Sequence, residues 1–342
     1  MIRKTFIYHD GALGDLLLSL PVITLLREKT GFVHLAGGIE AVELLLEAGM
    51  IDEASSAGTA RYVSLYGDTV LSGLRDFLTG FDCAVVFTTR MDSALVRNIA
   101  SIVADTRAIL TIPPQGVQQH VTEFRLRQLP DYADVAAPPR LTLPSERMEQ
   151  ARKCLLSAGH DFSRPLLSVH PGSGGARKCW PVGSYCDLLA KLRHWRDPFI
   201  LLFSGPAEDE SITDILQTYT VNNPCRSAHI RNAELAVVSA LLSMSDLYIG
   251  NDSGVSHLAA CMGTSTITVF GPTDPILWKP PGNRVSVVRS EAECAPCGDD
   301  KSRECRERKC LAAISVESVY APAMNQLTMH AYDDGPLSSR HM

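Results

Sequence analysis

The 342-residue sequence contains no run of about 18 apolar residues, the length a helix needs to cross a bilayer. Nothing in it predicts a transmembrane segment. It also lacks an excess of basic charge. Lys and Arg number 32 against 38 Asp and Glu, a formal net charge of −6, which argues against a general nucleic-acid binder. A secretion signal is absent from the reading as well. MIRKTFIYHDGALGD opens with charge, its apolar run is too short, and it passes directly into a strand. These absences predict a cytoplasmic protein. No short-period repeat is visible.

What is present is ordinary for a globular chain, at 45% hydrophobic and 20% charged residues. The length exceeds one typical core and predicts two domains. Short apolar or β-branched runs alternate with helical patterns throughout. Strands are expected at Thr5–Tyr8, Phe32–Leu35, Ala84–Thr88 and Ala108–Ile112, then at Leu166–Val169, Phe199–Phe203, Leu247–Ile249, Thr266–Phe270 and Arg284–Val288. Strand–helix alternation in both halves predicts an α/β chain with doubly wound parallel sheets. The proline-rich stretch Pro130–Pro144 leads into the interdomain region.

The polar residues gather where strands end, which is where open parallel sheets bind ligands. After the first strand, His9-Asp10-Gly11-Ala12-Leu13-Gly14-Asp15 opens a helix. Gly11 and Gly14 let backbone approach a ligand closely, and Asp15 falls in the helix's first turn. Asp15 either complements the helix dipole or takes a proton from an acceptor hydroxyl as a general base. Gly172-Ser173-Gly174-Gly175-Ala176-Arg177-Lys178 fails the Walker A pattern, because Cys179 follows Lys178. It still offers glycines, a hydroxyl and two cations, a cradle suited to a diphosphate. Glu208-Asp209-Glu210 either complements a helix dipole or, through Glu208, accepts hydrogen bonds from ribose hydroxyls. In Asn251-Asp252-Ser253-Gly254, Ser253 or Asp252 caps the following helix. Gly254 lets a phosphate reach the first N–H groups, and His257 lies one turn in. Asp252 is expected to be neutralised by Lys178 or by backbone donors instead of touching the phosphate.

Together, GALGDLLLSLP (Gly11–Pro21), HPGSGGARKCWP (His170–Pro181), SGPAEDE (Ser204–Glu210) and IGNDSGVSHLAACMGTSTITVFGPTDP (Ile249–Pro275) resemble the ADP-heptose:lipopolysaccharide heptosyltransferases, glycosyltransferase family 9. The resemblance implies a GT-B fold, with two Rossmann-like domains facing each other across a cleft. Residues 1–155 would take the acceptor, 156–330 the nucleotide-sugar donor, and 331–342 would form an unstructured tail. It implies an inverting, metal-independent transfer of heptose or a related sugar from an ADP-sugar, with no cofactor. The acceptor would be a lipopolysaccharide core or other glycolipid at the cytoplasmic face of the inner membrane, with the enzyme peripheral to it. By motif position Asp15 is the base, and Ser173, Gly174 and Lys178 hold the diphosphate. Glu208 holds the ribose, Asp252, Ser253, Gly254 and His257 line the donor phosphate site, and Thr273 closes the nucleotide pocket. One departure is His9-Asp10, where the family usually carries an arginine. Arg61, Arg90 and Arg97 are the candidate acceptor cations.

Ten cysteines remain. Six are scattered and read as small core or surface residues. Cys294-x2-Cys297-x7-Cys305-x4-Cys310 is a cluster, similar to a segment found late in some family members. Its spacing suits structural zinc, disulfides or redox-variable thiols, not catalysis. Three other functional readings compete with transfer. They are a nucleotide-sugar epimerase of similar architecture, a nucleotide-sugar-binding module without catalysis, and a zinc-binding interaction protein.

Overall fold

The computed structural model describes residues 2–129, 140–206 and 210–333. The chain divides into two compact units, Met1–Pro144 and Ser145–Met342. The first is built on five parallel strands: β1 (Arg3–His9), β2 (Gly31–Gly37), β3 (Glu53–Ser56), β4 (Cys83–Thr88) and β5 (Thr106–Leu110), in the order β3-β2-β1-β4-β5. The second holds six: β6 (Leu166–His170), β7 (Phe199–Ser204), β8 (Ser227–Arg231), β9 (Leu247–Asn251), β10 (Thr266–Phe270) and β11 (Val285–Arg289), in the order β11-β10-β9-β6-β7-β8. The neighbouring strands of both sheets pair in parallel, so each crossover carries a helix, as the alternating pattern requires.

In both sheets the first strand is central and the winding later reverses. β1 pairs with β2 on one side and β4 on the other, while β6 pairs with β7 and β9. Such a reversal leaves a crevice at the carboxyl ends of the two strands that flank it. The central strands are buried on both faces, which explains their continuous apolar runs. In the first unit the core under the sheet is aromatic. Phe6 packs against Tyr62, Phe77, Phe81 and His34. In the second unit, Trp180 and Tyr185 pack edge to face, and the indole Nε1–H donates to the Ile314 carbonyl at 2.9 Å.

The ends of two elements are set by specific backbone. Pro21 stands in the first turn of the helix Leu20–Thr30, where its missing N–H costs nothing. Gly159 stops the helix Ser145–Ser157 in a left-handed conformation (φ 91°). That helix packs on Leu235–Ser243 in the second unit, so the division falls at residues 144 and 145, earlier than the expected 155. The final helix, Val316–Asp333, runs into residues assigned to the tail. Residues 334–342 of that tail, and 130–139 of the proline-rich stretch, lie outside the described residues. β3 and β8 were not anticipated. Among the described residues, no helix is long and apolar enough to cross a membrane.

Candidate functional site

At the carboxyl end of β1 the chain turns through Asp10-Gly11-Ala12 into the short helix Leu13–Leu18, with Asp15 in its first turn and Gly14 beside it. The turn is tight. A Cβ on Gly11 would stand 2.7 Å from His9 Cε1 and 3.0 Å from Asp15 Cβ, so only glycine fits without displacing both.

Asp15 is held from beneath by Arg125, a fully buried residue on the helix Val121–Leu126. Arg125 Nη2 donates to Asp15 Oδ1 at 3.0 Å, and Nη1 donates to the Asp15 carbonyl at 2.7 Å and to Ser19 Oγ at 2.9 Å. Its Nε donates to the Thr111 carbonyl at 3.0 Å. Burial draws the Arg125 pKa down and Asp15 opposes the shift; a guanidinium starts high enough to stay charged. The Asp15 side chain keeps 35% of its surface exposed. Among the described residues nothing donates to its Oδ2. One carboxylate oxygen is therefore anchored and the other is open.

Ser19 ties His9 into this network. Its Oγ donates to the Asp15 carbonyl at 3.0 Å and stands 3.1 Å from His9 Nε2. The Gly11 N–H donates to His9 Nδ1 at 3.2 Å, which puts the ring proton on Nε2 and makes His9 a donor to Ser19. Burial, then the Arg125 charge, pushes the His9 pKa down to about 3.

In the second unit the polar loops gather at the carboxyl ends of β6, β9 and β10. Asn251, the last residue of β9, has no exposed surface. Its Nδ2 donates to the Pro171 and Gly172 carbonyls at 2.6 and 3.2 Å. Its Oδ1 accepts from the Trp180 N–H at 2.9 Å and from the Tyr185 hydroxyl at 3.0 Å. One amide thus fastens the glycine-rich loop to the neighbouring strand.

Asp252 is the centre of the next layer. Lys178 Nζ donates to its Oδ2 at 2.9 Å and Thr273 Oγ1 to the same oxygen at 2.7 Å, while Ser173 Oγ donates to its carbonyl at 2.8 Å. Asp252 is nearly buried and Lys178 is a quarter exposed. The ammonium is held by one carboxylate and keeps protons for another anion. Ser253 caps the helix Gly254–Cys261, its Oγ accepting from the Ser256 N–H at 3.4 Å. The first N–H groups of that helix, from Gly254 onward, have no partner inside it, and the dipole there favours an anion. His257 is buried one turn in. A Cβ on Gly174 would meet open space.

Ser173, Lys178, Asp252, Ser253, Gly254 and Thr273 are therefore in one constellation, and Asp252 is neutralised by Lys178 as the sequence suggested. Glu208 lies outside the described residues. Of the acceptor candidates, Arg61 lies over the Phe77 ring at 4.1 Å, Arg90 pairs with Asp92 at 3.4 Å, and Arg97 donates to the Asp92 carbonyl. Arg125, Ser19 and Asn251 were missed as organisers. The signal for Arg125 was faint: a lone cation in a short helix whose Val121 and Leu126 face the core.

A family model described as glycosyltransferase family 9 (heptosyltransferase) matches residues 78–310, about two thirds of the chain. Lipooligosaccharide heptosyltransferase 2 of Campylobacter jejuni is 28% identical over 172 residues, covering 48% of this chain and 51% of that protein. The chain spans about half the length of the curated relatives it matches. The solved structure of Escherichia coli ADP-heptose LPS heptosyltransferase II superposes with a TM-score of 0.74 at 17% identity, covering 96% of this chain and 99% of that one. A family 9 glycosyl transferase from Veillonella parvula gives 0.78 at 18% identity, covering 96% and 98%. These likenesses carry the fold, which is GT-B.

Proposed function

The chain belongs to glycosyltransferase family 9, and from that premise we propose that it transfers heptose, or a related sugar, from an ADP-sugar to a lipopolysaccharide-type glycolipid acceptor. The observation that carries the reading is the Asp252 constellation: a buried carboxylate holding Lys178 and Thr273 beside a capped helix start at the switch point of the second sheet. Those groups suit the diphosphate of a nucleotide-sugar, and the second unit is the donor domain in this reading.

The acceptor domain is then the first unit, and Asp15 is the base. As an acceptor hydroxyl oxygen attacks the anomeric carbon from the face opposite the leaving group, Asp15 Oδ2 takes its proton. The bond to the diphosphate oxygen breaks with its electron pair, and the configuration at the anomeric carbon inverts. Lys178 and the helix N–H groups meet the charge that develops on the leaving ADP, so the step needs no divalent ion at the diphosphate. Turnover that persists in EDTA checks this last point. Glu208 is the partner proposed for the ribose. The acceptor would be met at the cytoplasmic face of the inner membrane, with the protein peripheral to it.

The test is incubation with ADP-heptose and heptose-deficient lipopolysaccharide. Sugar transfer is expected in the wild type and is expected to disappear in Asp15→Asn, while ADP still stabilises that variant. Undiminished transfer by Asp15→Asn would remove Asp15 from the base role. Absence of transfer with every ADP-sugar and glycolipid tried, by a protein that binds ADP, would overturn the assigned activity.

A further inference from the structure

Asp10 is the first residue beyond β1, and Asp15 lies in the first turn of the helix that follows, so two carboxylates stand at the two ends of one turn. In register, Tyr8 of β1 lies opposite Ala36 of β2 and Val86 of β4. Asp10, two residues on, is therefore at the carboxyl-end crevice of the first sheet. Asp15 is anchored there through Oδ1 by Arg125. Asp10 has an anchor of a different kind. The Tyr66 hydroxyl donates to Asp10 Oδ2. That uses the one proton Tyr66 has, so the Tyr8 hydroxyl, 3.2 Å away, is the donor to Tyr66. Burial, then the bond to Asp10, pushes the Tyr66 pKa up, and the phenol keeps its proton.

The result is a directed chain from the buried Tyr8 through Tyr66 to the exposed Asp10. The turn that carries Tyr66, Ser64–Tyr66, is itself held. Asn98 Nδ2 donates to the Leu65 and Gly67 carbonyls at 2.9 Å each, and the Tyr66 ring meets the Tyr8 ring edge on. An aspartate left to solvent needs no such bracing. Charge is the second observation. The Arg125 guanidinium is taken by Asp15, and Arg90, two residues past β4, pairs with Asp92. Among the described residues no cation pairs with Asp10. It brings an uncompensated negative charge to the crevice, with Oδ1 open.

We propose that Asp10 determines which acceptor the first unit takes: its carboxylate receives hydrogen bonds from neutral hydroxyls of the accepting sugar and excludes a phosphate or carboxylate at that place. The inference rests on the proposed transfer, which puts the acceptor on the first unit with Asp15 as base, and it adds the class of sugar. An ionised carboxylate only accepts hydrogen bonds, so hydroxyls suit it and an anion does not. Bonds to a charged group are also the strong kind. One hydroxyl then gives its proton to Asp15 while another on the same sugar is held by Asp10. Tyr66 is a positioning residue that acts through Asp10.

The experiment uses two synthetic core trisaccharides that differ only by a phosphate on the terminal, accepting sugar. Each is titrated calorimetrically into the full chain, as wild type, Asp10→Asn and Tyr66→Phe, with ADP present and no donor sugar. The same glycans then serve as acceptors with ADP-heptose. The wild type is expected to bind the neutral glycan at least about tenfold more tightly, the scale of one hydrogen bond to a charged group. Asp10→Asn keeps the shape and removes the charge. It is expected to weaken the neutral glycan, strengthen the phosphorylated one and bring their ratio near one, in Kd and in kcat/KM alike. Tyr66→Phe is expected to narrow the ratio in the same direction with ADP affinity unchanged. A bond that only fastened the Ser64–Tyr66 turn would lower both affinities equally and leave the ratio alone. A wild type that binds neither glycan, or binds the phosphorylated one at least as tightly, would overturn the proposal. So would an Asp10→Asn variant that keeps the wild-type ratio. Discrimination in binding without any transfer would uphold Asp10 and sink the assigned reaction, whereas transfer without discrimination does the reverse.

Discussion

Arg125 shows how much one buried side chain decides. It makes four hydrogen bonds, three of them to Asp15 and Ser19, across a sequence separation of more than a hundred residues. Replacing it with Met leaves the Asp15 and Thr111 carbonyls without that donor and frees the carboxylate to swing. Misplacing a reacting group by about 1 Å costs about 10²-fold in rate. Arg125→Met is accordingly expected to lower kcat by about that factor, with the affinity for ADP unchanged because no residue of the Asp252 constellation is touched. Steady-state transfer assays and ADP titration separate the two, and an equal loss of ADP affinity would count against a positioning role. His9 makes a second prediction. Its pKa lies near 3 in the folded chain against 6.5 as a free side chain. Above pH 6.5 both states are neutral and His9 adds no pH dependence. Below it the unfolded chain binds a proton that the folded chain refuses, so stability falls as pH drops toward about 3. Protonation would also turn Nδ1 into a donor facing the Gly11 N–H. Urea unfolding followed by far-UV dichroism between pH 7 and 4 should give a slope steeper in the wild type than in His9→Asn, by up to about 1.4 kcal/mol per pH unit. Equal slopes would mean that His9 is charged in the fold.

Loops and strands are joined by Asn251, and the consequence of losing it belongs to the elements it connects. Asn251→Ala leaves two carbonyls, an N–H and a hydroxyl at the β6–β9 junction without their partner. Unsatisfied buried groups of this kind cost about 2–4 kcal/mol in total. The variant is expected to unfold at lower urea and to bind ADP more weakly, since the glycine-rich loop is no longer fastened; unchanged ADP affinity would separate that loop from the donor site. The same elements show what a sequence reveals. β6, β7, β9 and β10 are buried along their whole length, so their apolar and β-branched runs stand out locally. β3 (EASS) and β8 (SAHIR) sit at sheet edges, need no continuous apolar run, and left no such signal. The Asp252 constellation was legible because its turns carry glycines and hydroxyls in short stretches. Arg125 was not, because its partners at Asp15 and Ser19 are brought to it only by the fold.

For the molecule as a whole, the division into two units supplies an intrinsic reporter. The chain has three tryptophans, Trp180, Trp195 and Trp278, and all lie in the second unit. Trp180 is buried in that unit's core, against Tyr185, which in turn bonds Asn251. Tryptophan fluorescence therefore follows the unfolding of the unit proposed to bind the donor, whereas far-UV dichroism follows both. A ligand that binds only the native state stabilises it by about 2.7 kcal/mol at a hundred times its Kd. For a unit of this size that corresponds to a rise of about 5–10 °C in the midpoint. ADP is expected to move the fluorescence-detected midpoint by this amount, and UDP and GDP at equal concentration by less. The dichroism trace should shift less or split, because the first unit gains nothing directly from ADP, and a chain of two units need not unfold in one step. A fluorescence midpoint that ADP leaves in place, while the dichroism moves, would put the nucleotide on the first unit and reverse the proposed division of labour. A larger shift with UDP or GDP would keep the Asp252 constellation as the diphosphate site and change the base it reads, since its donors address the phosphates and not the purine.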